Sequence, residues 1–213
     1  MAEMNMDVYE AILARRTVRD FQDREIDLEI IERILDAGLH APTNNHLREW
    51  EFVVVNDKAA RMNLIDRVRK GITEEELVTL LNDWECFDPV QREMYMDGVP
   101  KQYKMLLTAG CLIIPCFRQR RPLLQPGSLS ALNGFASIWC CIENILLAAA
   151  AEGVYGVTRI PFDEEIGYLK ELLQCPADYE IPCYLALGYP AENAPRIKQF
   201  PIEAKGRMHF NVW

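Results

Sequence analysis

The chain has 213 residues, enough for one domain with a full core, and half of them are hydrophobic. A formal net charge of −9 disfavours a general nucleic-acid binder, which needs a basic surface. The first seven residues carry no basic region followed by an apolar run, so no secretory signal is expected.

In chain order, Asp7 to Arg16 has the spacing of a helix, with Val8, Ile12 and Leu13 on one face and Asn5 or Asp7 as cap. Asp27 to Leu39 predicts a second amphipathic helix, with Leu28, Ile31, Ile34 and Leu35 at helical spacing. Ala41-Pro42-Thr43-Asn44-Asn45 breaks that pattern, and Trp50 to Val55 is a strand. Asp57 to Arg69 is helical. Thr73 to Lys104 is helix-rich and interrupted around Asp83–Pro89. Cys111 to Phe117 is a second strand, and Arg118 to Ser128 a loop rich in Arg, Pro and Gln. Leu132 to Ala151 is a long apolar helix, too interrupted by Glu143 and Asn144 to read as a membrane span and expected to be buried. Tyr155 to Ile160 is a third strand, Asp163 to Leu173 a helix, and Pro182 to Leu187 a fourth strand. The tail from Ala191 ends in an apolar segment, Met208 to Trp213, expected to be a buried strand. Such an arm needs a surface to cover, on its own domain or on a second subunit.

Seven cysteines without a Cys-x-x-Cys pair suit a reduced, cytoplasmic setting. The three histidines share no metal-ligand spacing with one another or with the cysteines, so no metal site is expected. No Gly-x-Gly-x-x-Gly fingerprint, Gly-x-Ser-x-Gly elbow or Walker loop occurs. The chemistry concentrates elsewhere. Arg15, Arg16 and Arg19 lie within five residues, and Arg196 and Lys198 add cations near the other end. Arginine forks match phosphate oxygens, although a basic run after a helix also complements its dipole. Glu143 inside an apolar helix needs a partner, either an arginine or an interface group. Arg118, Arg120 and Arg121 form a basic patch that suits either nicotinamide phosphates or a solvated loop.

Three segments together resemble the nitroreductase-like family of FMN-dependent flavoproteins. They are Arg15-Arg16-Thr17-Val18-Arg19-Asp20-Phe21, the run from Ala41 through Trp50 into the first strand, and Leu187-Gly188-Tyr189-Pro190 with the basic residues after it. The resemblance implies an α+β fold, a three-layer α-β-α sandwich around a central mixed four- or five-stranded sheet. It implies a single domain over 1–213 whose segment 191–213 is an arm packed on the partner of a homodimer, with FMN at the interface. Arg15, Arg16 and Thr17 would hold the phosphate or ribityl chain, Arg19 the ring edge, and Arg196 and Lys198 further charge. Thr43, Asn44, Asn45, His46 and Arg48 would approach from the other subunit. Here His46, Arg48 and Glu49 stand where the family usually has Asn, Gln and Pro. Arg159 and Ile160 would lie over the ring, although Ile160 and Phe162 suit core packing equally well. The implied activity is NAD(P)H-dependent reduction of nitroaromatic, quinone or related small-molecule acceptors by ping-pong hydride transfer. The family also implies alternatives: a dehalogenating or flavin-destroying relative with a lid at 73–104, or a flavin-binding protein without turnover. No side-chain acid or base is required, so no catalytic residue is named, and neither nucleic acid nor membrane is expected as a partner.

Overall fold

The computed structural model describes residues 6–196 and 202–213. Its sheet runs in the order β1-β2-β5-β3, where β1 is Trp50–Val55, β2 Cys111–Arg118, β3 Tyr155–Arg159 and β5 Tyr184–Gly188. A two-residue strand β4, Tyr179–Glu180, pairs with the end of β2. Every ladder is antiparallel, and the parallel component is an isolated bridge between Thr17 and Gly156. The sheet is thus mixed only at its β3 edge.

Helices cover both faces, which is why β2 is buried along its length up to Phe117. Successive side chains of β2 point to opposite faces. Cys111 and Ile113 join one core with α2 (Leu28–Leu39) and α7 (Asn133–Ala151). Leu112 and Ile114 join a second core with α3 (Lys58–Leu64), α6 (Gln102–Thr108) and α8 (Asp163–Leu172). These are the two interfaces of the three-layer sandwich. Buried Arg61 ties β1 to the α6–β2 turn by donating to the carbonyls of Val55, Asn56, Ala109 and Gly110.

The interrupted helical stretch resolves into α4 (Glu74–Asp83) and α5 (Pro89–Gly98), followed by α6. Thr73 opens α4 with a capping box, and Asp88 with Pro89 opens α5, so the break between them is written in cap residues. The pair has its own small core of Leu77, Leu81 and Cys86.

Three sequence expectations are corrected. Met208 to Trp213 forms no strand and is exposed in one chain, with Trp213 wholly so, because among the described residues nothing of its own subunit covers it, which leaves a second subunit as the surface it would need. In α1 (Val8–Ala14), capped by Asp7, only Ala11 is buried, while Val8, Tyr9, Ile12 and Leu13 face outward. The apolar helix α7 is buried on one face only. Ile138, Cys141, Ile142 and Ile145 pack inward, whereas Ala136, Cys140 and Glu143 are exposed. By length and composition Leu129–Ala151 could cross a membrane, but its inner face packs on α2 and the sheet.

Candidate active site

The basic run after α1 becomes an extra strand-like edge on β3. Thr17 bridges Gly156, and the Val18 N–H donates to the Gly156 carbonyl at 3.1 Å. Farther along, Phe21 bridges Pro190, Gln22 N–H donates to the Tyr189 carbonyl, and Ala191 N–H donates to the Asp20 carbonyl. The first and third motifs, about 170 residues apart in sequence, are therefore zipped together by backbone hydrogen bonds. Gly188 permits it, because a Cβ there would meet the Phe21 ring at 2.6 Å.

Two clefts open along this edge and share Arg16 and Thr17. The larger, about 410 Å³, is lined also by Tyr155, Pro190 and Arg196. The other, about 210 Å³, is lined by Arg15, Gly156, Thr158 and, from α7, Trp139 and Glu143. Arg15 pairs with Glu143, Nε to Oε1 at 3.1 Å; the arginine expected for that carboxylate is there, although Glu143 lies on the exposed face of α7 and is not a buried charge. Arg16 turns back on α1, donating to the Arg15 carbonyl at 2.8 Å and to the Leu13 carbonyl, as a helix C-terminus favours. Lys198 lies outside the described residues.

Arg19 lines neither cleft. Its guanidinium lies against Gly98 at the end of α5, where a Cβ would come within 3.0 Å of Cζ. Burial lowers its pKa, and Asp97 and Asp20 oppose that shift. Lys101 joins these two carboxylates at 2.6 and 2.7 Å. Among the described residues Arg19 Nη1 is the one buried side-chain donor without a partner. Such an orphan costs about 1–3 kcal/mol unless something else satisfies it.

The loop after α2 lies elsewhere. Thr43, Asn44 and Arg48 line a third cleft with Arg118, Arg120 and Arg121, beside the start of α7. Asn44 is anchored there by its N–H to Ser137 Oγ at 3.2 Å and by Asn133 Nδ2 to its own Oδ1 at 3.3 Å. Asn45 and His46 are exposed and line none of these three clefts. Asn45, His46 and Arg48 all have φ between 51° and 54°, a left-handed conformation that Asn tolerates and the other two resist. One chain therefore does not bring this loop to the Arg15–Thr17 edge.

Arg159 and Ile160 point opposite ways. The Arg159 guanidinium is turned into the protein, where both it and Glu165 are 5% exposed. It binds Glu165 through two nitrogens, one at 2.7 Å, and Gln102 Oε1 at 2.7 Å, with the Tyr184 ring 5.4 Å away. That side chain supports the fold and is not offered to a ligand. Ile160 and Phe162 are exposed, so the core-packing reading fails for both. Sequence reasoning missed Ser137 and Gln119, since an isolated polar side chain among apolar or basic neighbours gives no spacing signal.

The sequence matches the Nitroreductase family over residues 12–189. It is 30% identical over 216 residues to a protein of Methanothermobacter thermautotrophicus provisionally named as an NADH dehydrogenase/NAD(P)H nitroreductase, covering 98% of this chain and 88% of that one. It is 27% identical over 197 residues to iodotyrosine deiodinase of Haliscomenobacter hydrossis, covering 91% and 84%. The fold matches the crystal structure of oxidized iodotyrosine deiodinase bound to FMN and 3-iodo-L-tyrosine with a TM-score of 0.70, at 19% identity, covering 97% of this chain and all of that one. With its basic N-terminal edge, its three-layer sandwich and a sequence match spanning most of its length, this chain belongs to the nitroreductase family.

Proposed function

We propose that this chain is an FMN-dependent oxidoreductase that uses NAD(P)H to reduce nitroaromatic, quinone or related acceptors as a homodimer. The observation that carries the reading is the cleft in which Arg16 and Thr17, from near one end of the chain, meet Arg196 from near the other. The residues present fit the cofactor. Arg15, Arg16 and Arg196 supply cationic forks and Thr17 a hydroxyl for a phosphate dianion. Arg19 lines neither cleft; its unmatched buried N–H lies against α5, outside this cradle. FMN held there would supply the hydride-transfer chemistry between a nicotinamide and the acceptor. The protein's own part is to anchor, orient and exclude water, so no side-chain acid or base is assigned. The FMN of a fold relative and the NAD(P)H in a relative's name support the assignment.

The dimer reading is supported by what one chain leaves open. The outer face of α7, the outward apolar side of α1 and the segment 202–213 expose apolar groups that a second copy would cover. The same pairing would bring the Thr43–Arg48 loop of one subunit towards the Arg15–Thr17 edge of the other. Seven free thiols suit the reducing cytoplasm.

The absorbance spectrum of the pure protein tests the assignment, before and after anaerobic NAD(P)H. A flavin band that bleaches is expected. A colourless protein that takes up no added FMN refutes the cofactor, and a band that never bleaches makes this a binding protein. A second reading, reductive dehalogenation, is favoured by the α4–α5 hairpin with its separate core and by the deiodinase relative. Halide release from a halogenated aromatic substrate separates the two.

A further inference from the structure

The third cleft lies on the far side of the Thr43–Arg48 loop, against the Arg118–Arg121 loop, and is lined by four arginines, Arg48, Arg118, Arg120 and Arg121. Two carboxylates answer them. Glu49 takes Arg118 at 3.2 Å and Arg120 at 2.7 Å, and Asp178 takes Arg118 Nε at 2.5 Å. Among the described residues, Arg48 and Arg121 have no carboxylate within 4.0 Å. The cleft is thus left net positive in a chain whose total charge is −9, and a concave wall of one sign concentrates ions of the other.

The arginines are held on a fastened loop. Gln119, 8% exposed, donates Nε2 to the carbonyls of Arg121 at 2.8 Å and Ala131 at 3.2 Å. Its backbone N–H donates to the Asp178 carbonyl at 2.7 Å. The buried amide clamps the backbone of the loop to the turn before α7, so the points from which the arginines project are fixed before anything binds. At about 140 Å³ the cleft has room for a phosphate group.

We infer that this cleft is an oxyanion subsite that takes the phosphate group of a reaction partner. Guanidinium forks bind phosphate oxygens in pairs. Either the 2′-phosphate of NADPH or a phosphate carried by the acceptor presents this chemistry. Which molecule carries the group rests on the flavin-enzyme reading above; the subsite itself does not.

The test uses the FMN-loaded protein and its R120Q/R121Q variant, whose altered side chains are exposed and whose melting temperature should not move. KM is measured for NADPH against NADH, and for 4-nitrobenzyl phosphate against 4-nitrobenzyl alcohol. The member with the extra phosphate in one pair should lose about thirtyfold or more in the variant, the loss of at least one charged hydrogen bond, while its counterpart stays unchanged. Loss in the first pair assigns the subsite to the reductant, and loss in the second assigns it to the acceptor. If both pairs are unchanged while the alcohol is still reduced, the inference is overturned. Should neither protein turn over any acceptor, the flavin-enzyme reading fails and calorimetry with inorganic phosphate decides. Binding to the parent and not to the variant sustains the subsite, and equal titrations reject it.

Discussion

The pairing of Arg15 with Glu143 makes a quantitative prediction about cofactor capture. The two side chains meet at 3.1 Å but are 32% and 51% exposed, so solvent screens the pair and it contributes at most about 1 kcal/mol to stability. A charged hydrogen bond from the same guanidinium to a phosphate oxygen is worth about 2 kcal/mol, or about thirtyfold in affinity. Arg15→Ala should therefore weaken FMN binding about thirtyfold while moving the urea midpoint of the apoprotein only slightly. Glu143→Gln should leave FMN affinity unchanged or raise it a few fold, because it releases Arg15 from a competing anion. The assay is fluorescence titration of FMN against the apoprotein, run for both single variants and the double variant. An Arg15→Ala protein binding FMN within twofold of the parent would refute the phosphate role. Equal losses from both single variants would reduce Arg15 to a strut for α7.

Three further outcomes are expected. Glu165→Gln strands the Arg159 guanidinium in the core and should cost about 3 kcal/mol in urea denaturation, partly regained by pairing R159M with E165L; a loss below about 1 kcal/mol would mean that water reaches the pair. Burial pushes Cys111, Cys116, Cys141 and Cys183 up to about 12, so at pH 8 they stay protonated and should resist a thiol reagent, their reactivity rising only well above that pH. Cys140 is exposed in one chain, and if α7 pairs with a second copy its labelling should slow as protein concentration rises; a rate independent of concentration, in a protein that sediments as a monomer, rejects the dimer. Ending the chain after Arg196 should weaken dimerisation and FMN retention together, since the exposed aromatic groups of 202–213 have no cover in their own subunit; an unchanged dimer with full FMN would release the arm from that role.

Local chemistry was legible wherever it is written in neighbouring residues. Trp50–Val55 came out to the residue, and the α4–α5 break was visible because Asp88-Pro89 both ends and begins something. The family signature also lay in short runs of sequence. Only the tertiary structure decided where side chains of similar type would point. Arg15 reaches Glu143 on α7, Arg159 turns inward to Glu165, and Arg19 stops against Gly98 with one N–H unmatched. These outcomes depend on contacts between segments far apart in the chain, which no periodicity encodes. The same holds for the apolar sides of α1, α7 and the tail. Hydrophobicity marked them as surfaces to be covered, but which ones their own fold covers was settled by the packing of α7 against α2 and the sheet.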